Sequence, residues 1–349
     1  KDLLMYETLD KENMFSAIWD FPENLSEAHK LGENIKLEQD YSVINSIVVA
    51  GMGGSAIGGD VVSVIEKEHI NVPFFICRGY SVPNWVNKNT LVICSSYSGN
   101  TEETLAALDD SMGKGAMVCG ITTGGELAKK LKKENKDVVI IPSGLQPRAA
   151  LAFSFVPMTK LLQKIGVLNT KIDSWLPKVI ESLSNNRELH CLDSKENPIF
   201  ELADQIHNKI PIIYSDNSSL NVAALRLKGQ ICENSKMLCY HNDLPELNHN
   251  EIVGWENNSN LFDHLFLIWL SDKADNQRVK HRMEITQTIL NENKVDQYII
   301  EMKGNIFQDR FLNMIHYGDW LSYWCAIAHN TDPSPVSNID RLKIELSKI

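Results

Sequence analysis

Between residues 95 and 101 the chain reads Ser-Ser-Tyr-Ser-Gly-Asn-Thr, four serine or threonine hydroxyls in seven positions around one glycine. The run overlaps the end of a strand-like segment (89–98) and leads into a helix-like one (101–115) with acids near its start and glycines at its end. A helix N-terminus presents unpaired N–H groups and a partial positive charge, so such a junction suits a phosphate. Ser96, Ser98 and Thr101 would add donors without adding charge. One hydroxyl is enough to cap a helix, and this loop carries more than a cap needs. No Gly-Lys-Ser/Thr follows, which excludes a P-loop.

A second loop, Gly51-Met-Gly-Gly54-Ser55-Ala56-Ile-Gly-Gly59, also follows a strand-like run and opens a helix-like one. It fits a loose dinucleotide fingerprint, and the next strand-like run ends in Arg78, which would suit a 2′-phosphate. An NADP-dependent oxidoreductase is therefore one reading. A tight strand-to-helix turn is another. In a third, the glycines let the backbone approach a sugar, which the Gly54 N–H and the Ser55 hydroxyl bind.

Residues suited to moving protons or holding an anion lie elsewhere. Glu233 ends a helix-like segment among apolar residues, where partial burial would suit it to proton transfer. On spacing alone it reads rather as an exposed helix-end acid. His249 lies in a polar stretch with Glu246, Asn248, Asn250 and Glu251 available to orient its ring. Arg148 opens a helix-like segment, a poor place for a stray cation, so a bound anion or an acidic partner is expected there. Lys343 lies on the last helix-like segment, just after Asp332-Pro-Ser334-Pro-Val336, and by itself reads as a solvated lysine. The ten histidines show no metal-ligand spacing, and no nucleophile elbow occurs. Trp320, Tyr323 and Trp324 have helical spacing and suit a core or a subunit interface.

The elements that must carry these residues read as apolar strands alternating with helices, in two successive units of similar plan. That pattern predicts parallel sheets covered on both faces. We expect an α/β fold of two doubly wound, three-layer αβα units with a C-terminal helix. The expected boundaries are a helical lead-in (1–40), a first unit (41–152), connecting helices (153–209), a second unit (210–331) and a closing helix (332–349). A length of 349 residues fits two domains. The net charge of −11 argues against nucleic-acid and anionic-membrane partners. Seven cysteines, an odd number without a C-x-x-C pair, point to a reducing compartment. With no signal-like segment and no apolar run long enough to span a bilayer, a cytoplasmic location is expected.

Ser95–Thr104, SSYSGNTEET, resembles the phosphate-binding signature of sugar isomerase (SIS) domains. Taken with GMGGSAIGGD, PSGLQPRAAL, ICENSK, LPELNHNEIVGW and HYGDWLSYW, the chain resembles the bifunctional phosphoglucose/phosphomannose isomerases over most of its length. The resemblance implies two SIS-type units in a homodimer and an enzyme interconverting glucose 6-phosphate, mannose 6-phosphate and fructose 6-phosphate without metal or cofactor. It also implies roles. Ser96, Ser98 and Thr101 hold the phosphate, and Glu233 shuttles the proton between C1 and C2. Arg148 stabilises the enediolate, and His249 and Lys343 open the ring, with His249 reaching the partner subunit's site. Ser334 stands where the family usually has Thr, keeping the hydroxyl and losing a methyl near the pocket that admits both C2 epimers. SIS modules also occur as sugar sensors, so a non-catalytic sugar-phosphate binder is the alternative, distinguished by whether Glu233→Gln has any turnover to lose.

Overall fold

The computed structural model describes Tyr6 and residues 8–349, which divide into two units. One is residues 20–181. The other joins the described residues up to Trp19 to Ser182–Ile349.

The 20–181 unit is built on β1 (Ser46–Ala50), β2 (Phe74–Cys77), β3 (Thr90–Ser95), β4 (Met117–Thr122) and β5 (Val138–Ile140). All pair in parallel in the order β2-β1-β3-β4-β5. Every residue of β1 and β3 is buried, as expected of β-branched strands covered on both faces. Helix α2 (Phe21–Glu33) packs on α6 (Leu151–Lys164), which also packs on α3 (Gly53–Ile65). Helices α4 (Glu102–Gly113) and α5 (Gly125–Lys133) follow β3 and β4. The helical lead-in consists of two helices, α1 (Met14–Trp19) and α2, because Pro22 has no N–H to continue a helix and sits instead in the first turn of α2.

The other unit carries β6 (Ile210–Asp216), β7 (Tyr240–Leu244), β8 (Leu265–Ser271) and β9 (Asp296–Glu301), parallel in the order β7-β6-β8-β9. Helix α7 (Leu176–His190) contains the boundary between the units, and α8 (Pro198–Ile206) follows it. Helices α9 (Leu220–Asn234), α10 (Glu251–Gly254), α11 (Gln277–Glu292), α12 (Phe307–Ala328) and α13 (Ser337–Leu346) complete the unit. Helix α12 is buried continuously from Arg310 to Ala326 and packs on α8 and α9. Its Trp320 and Tyr323 meet Phe15 edge-on at 5.0 and 5.6 Å, so this aromatic cluster belongs to the unit's own core.

Residues 236–242 read as a strand in the sequence, but β7 begins only at Tyr240. Lys236 adopts φ 55°, which turns the chain out of α9, and Leu238 is exposed before pairing begins. As an edge strand with one neighbour, β7 needs little apolar surface and takes in Asn242 and Asp243.

Candidate active site

In the 20–181 unit, β1 and β3 are neighbours, but the next strand in sequence lies on opposite sides of the pair. Their C-terminal ends therefore form a topological switch point, where ligands of open α/β sheets bind. The loop after β3 is the hydroxyl loop. Ser96 is 1% exposed, and its oxygen lies 2.8 Å from the Thr101 hydroxyl and accepts the Gly99 N–H at 3.1 Å. Gly99 has φ +70°, and a Cβ there would fall 1.9 Å from the Gly124 carbonyl oxygen, so no other residue fits the turn. Thr101 occupies the N-cap position of α4 in extended conformation but makes no side-chain capping bond. The first-turn amides of α4 are thus not answered by their own cap. Ser98 is exposed, and its oxygen accepts the Asn100 N–H at 3.2 Å.

The loop after β1 opens α3. Ser55 is buried, and its oxygen accepts the Tyr97 N–H at 3.0 Å, leaving the hydroxyl proton as its donor. A Cβ on Gly54 would lie 2.5 Å from the Pro147 carbonyl oxygen, so glycine lets this turn press against the segment that carries Arg148. Arg148 sits in a 3-10 turn, Pro147–Ala149, just ahead of α6, and is 4% exposed. Arg78, the residue on which a 2′-phosphate reading depended, pairs with Asp60 of α3.

The remaining candidates belong to the other unit. Glu233 is the penultimate residue of α9 and is half-buried. The helix end around it is clamped to α12: Asn234 Nδ2 donates to Ser322 Oγ at 2.9 Å, and Ser235 Oγ donates to the Ser322 carbonyl at 2.6 Å. One turn earlier, Arg226 and Gln230 donate to the Asp319 carboxylate at 2.7 and 2.9 Å. Lys236 donates to the carbonyls of Asp332 and Pro333 at 2.7 and 2.9 Å, tying the segment before α13 to the end of α9. That segment holds Ser334, which is buried, and its N–H donates to Asp332 Oδ1 at 3.0 Å. Lys343 is exposed on α13, a helix that buries none of its residues.

His249 ends a 3-10 turn, Glu246–His249, rather than an irregular loop. The four neighbours expected to orient its ring are engaged elsewhere. Asn248 donates to Thr286 Oγ1 at 2.9 Å, Asn250 donates to Glu246 at 2.9 Å, and the Glu251 carboxylate accepts from Tyr214 and Asn242. A carboxylate takes a buried phenol and an amide in preference to an imidazole on the surface. The His249 ring is exposed and makes no hydrogen bond among the described residues.

At the corresponding edge of this unit, acidic side chains are engaged by its own backbone and by Arg310. Asp216, at the end of β6, accepts the Leu220 and Ser218 N–H groups at 2.8 Å each, capping α9. Asn276 caps α11, accepting the Arg278 N–H at 2.8 Å. Asp272 is paired with Arg310 at 2.6 and 2.9 Å. Burial, reinforced by Asp216 and Asp272, pushes the Asp275 carboxyl up to about 7. Carboxylates at this edge would repel a phosphate. One group of potential metal ligands among the described residues, His29, Glu33 and Asp173, is an ion-pair network: Asp173 Oδ1 already meets His29 Nε2 at 2.6 Å and Lys160 Nζ at 2.8 Å.

Two parallel α/β units of similar plan are the architecture of the sugar-isomerase class of fold. Residues 195–346 match the family model described as the bacterial phospho-glucose isomerase C-terminal SIS domain. A hypothetical protein from Thermus thermophilus shares the fold with a TM-score of 0.75 at 15% identity, over 96% of this chain and 90% of that one. Two proteins named bifunctional phosphoglucose/phosphomannose isomerase are similar in sequence. That of Caldicellulosiruptor bescii is 40% identical over 96% of this chain and 99% of its own, and that of Aquifex aeolicus 36% identical over 89% and 93%. The chain belongs to the bifunctional phosphoglucose/phosphomannose isomerase family.

Proposed function

We propose that this chain interconverts glucose 6-phosphate and mannose 6-phosphate with fructose 6-phosphate. The observation that carries the reading is Thr101, whose hydroxyl turns to Ser96 instead of capping α4, so hydroxyls and first-turn amides are jointly suited to a phosphate. Ser98 adds a third hydroxyl.

In this reading His249 and Lys343 manage ring opening: a proton leaves the C1 hydroxyl, another reaches the ring oxygen, and the C1–O5 bond breaks. The Glu233 carboxylate then takes the proton from C2, and the electron pair moves onto the carbonyl oxygen at C1. Arg148 stabilises that enediolate charge. Glu233 returns the proton to C1, the C2 hydroxyl proton passes to the oxygen on C1, and the ketose results. Rotation that offers the other face of C2 to the same carboxylate yields mannose 6-phosphate on return. Gly54 and Ser55 contribute an N–H and a hydroxyl to the sugar, and Ser334 lines the epimer-tolerant end.

The active form in this reading is a homodimer, with His249 serving the partner subunit. The exposed, unengaged imidazole on a well-tied turn supports this. Among the described residues, no helix is long and apolar enough to cross a membrane.

The test is an assay on fructose 6-phosphate with EDTA present, glucose and mannose 6-phosphates being measured separately. Both products should form, and Glu233→Gln should lower kcat by about a thousandfold while ligand binding persists. Mixing Glu233→Gln with His249→Ala should restore about a quarter of the activity, because half the dimers are mixed and each has one intact site. Ligand binding without turnover by the unaltered protein would make it a sensor instead.

A further inference from the structure

The hydroxyl loop contains one residue that the phosphate reading does not use, the tyrosine between its serines. We infer that Tyr97 is a positioning residue, which fastens the segment carrying Arg148 to the phosphate cradle through the bond between its phenol oxygen and the Leu145 N–H. The inference deepens the isomerase reading and rests on it.

Tyr97 meets three other loops at the C-terminal edge of the first sheet. Its N–H donates to Ser55 Oγ at 3.0 Å, at the start of α3. Its carbonyl accepts the Thr123 N–H at 3.0 Å and the Thr123 hydroxyl at 2.8 Å, on the loop after β4. Its phenol oxygen accepts the Leu145 N–H at 3.0 Å, on the connection after β5. Leu145 immediately precedes Gln146, the N-cap of the 3-10 turn that contains Arg148. Burial holds the phenol above its ordinary value, so it serves as an uncharged acceptor.

The Arg148 segment is therefore held at two points. One is steric, the close approach of the Pro147 carbonyl to Gly54. The other is the Tyr97 phenol. The two sets of bonds made by Tyr97 are separable. Its main-chain bonds shape the cradle and survive any side-chain change that keeps the ring. Its phenol bond reaches only the Arg148 segment. In the proposed reaction Arg148 meets the enediolate and not the phosphate. Losing the phenol should therefore act on the chemical step and spare binding of the phosphate group.

The experiment uses the full chain and Tyr97→Phe, which keeps the ring and removes the acceptor. We expect kcat on fructose 6-phosphate to fall about three- to tenfold, the loss of one neutral hydrogen bond. KM and the inhibition constant of inorganic phosphate should stay within about twofold, and hydrogen exchange at the Leu145 amide should quicken. In an Arg148→Ala background the further substitution should cost less than about twofold, since both changes remove the same effect. The inference is overturned if kcat does not change, if phosphate inhibition weakens in step with kcat, or if the two losses multiply. Absence of turnover by the unaltered protein would overturn the isomerase reading and this one together. Turnover with an indifferent Tyr97→Phe would overturn this one alone.

Discussion

Thr101 stands at the N-cap of α4 in the extended conformation of a capping residue, yet its hydroxyl is spent on Ser96, 2.8 Å away. Removing it should cost binding more than turnover. Thr101→Val keeps the shape and loses the oxygen. A hydrogen bond to a charged group contributes about 1.5–3 kcal/mol, so KM for fructose 6-phosphate should rise at least about tenfold while kcat changes less. Steady-state kinetics decide, and a fall in kcat at constant KM would move Thr101 out of the phosphate site. At this scale composition was informative and direction was not. Four serine or threonine hydroxyls at a strand-to-helix junction stood out in the sequence, because that density exceeds what capping requires. Which oxygen would turn toward which donor did not, because Ser55, Ser96 and Tyr97 choose partners that are 42, 5 and 48 residues distant. Likewise the polar residues around His249 were visible as a group. Their preference for Tyr214, Asn242 and Thr286 depends on strands and helices brought together by folding.

Helices α9 and α12 make the support on which Glu233 stands. Their contact contains the Arg226–Asp319 ion pair, with both side chains less than a tenth exposed. Burial raises the Asp319 carboxyl above its ordinary value, while Arg226 and Gln230 pull it down. Asp319→Asn would leave Arg226 charged and uncompensated, at a cost of about 3–5 kcal/mol. Urea denaturation should show it as a lower midpoint with an unchanged slope. A loss below about 1 kcal/mol would mean that water or another acid takes over. The helices themselves were legible from periodicity, since α12 joins an apolar face to aromatic spacing. The late start of β7 was not, because an edge strand lacks the doubly apolar pattern that announces a central one, and the positive φ of Lys236 carries no local signature.

The two units share a parallel plan, but at the edge of the second sheet Asp216 turns onto the start of α9 and Asp272 pairs with Arg310. The sequence showed the repeated plan through strand and helix order. It hid the difference, because Asp216 and Asn276 look like ordinary loop residues until they are seen capping α9 and α11. The crowding of carboxylates has a pH signature. The Asp275 carboxyl, ordinarily near 3.8, is pushed up to about 7 by burial and by Asp216 and Asp272. The folded state thus holds its proton longer than the unfolded chain. Stability from this group is full below about pH 4 and falls as the pH rises toward 7. Asp275→Asn should flatten that decline, as read from denaturant midpoints across the interval. An unchanged profile would show that the acids are already relieved by Arg310 or Lys280.

The pairing of α1 with α12 has a consequence for how the polypeptide is made. The imidazole of His316 meets the carbonyl of Ile18 at 2.9 Å, across 298 residues of chain. At translation speeds of about 5–20 residues per second, Ile18 emerges roughly 15 to 60 s before its companion exists. During that interval Met14, Ile18 and Phe15 have no core to enter, and a chaperone that shelters apolar nascent segments would find its first customer there.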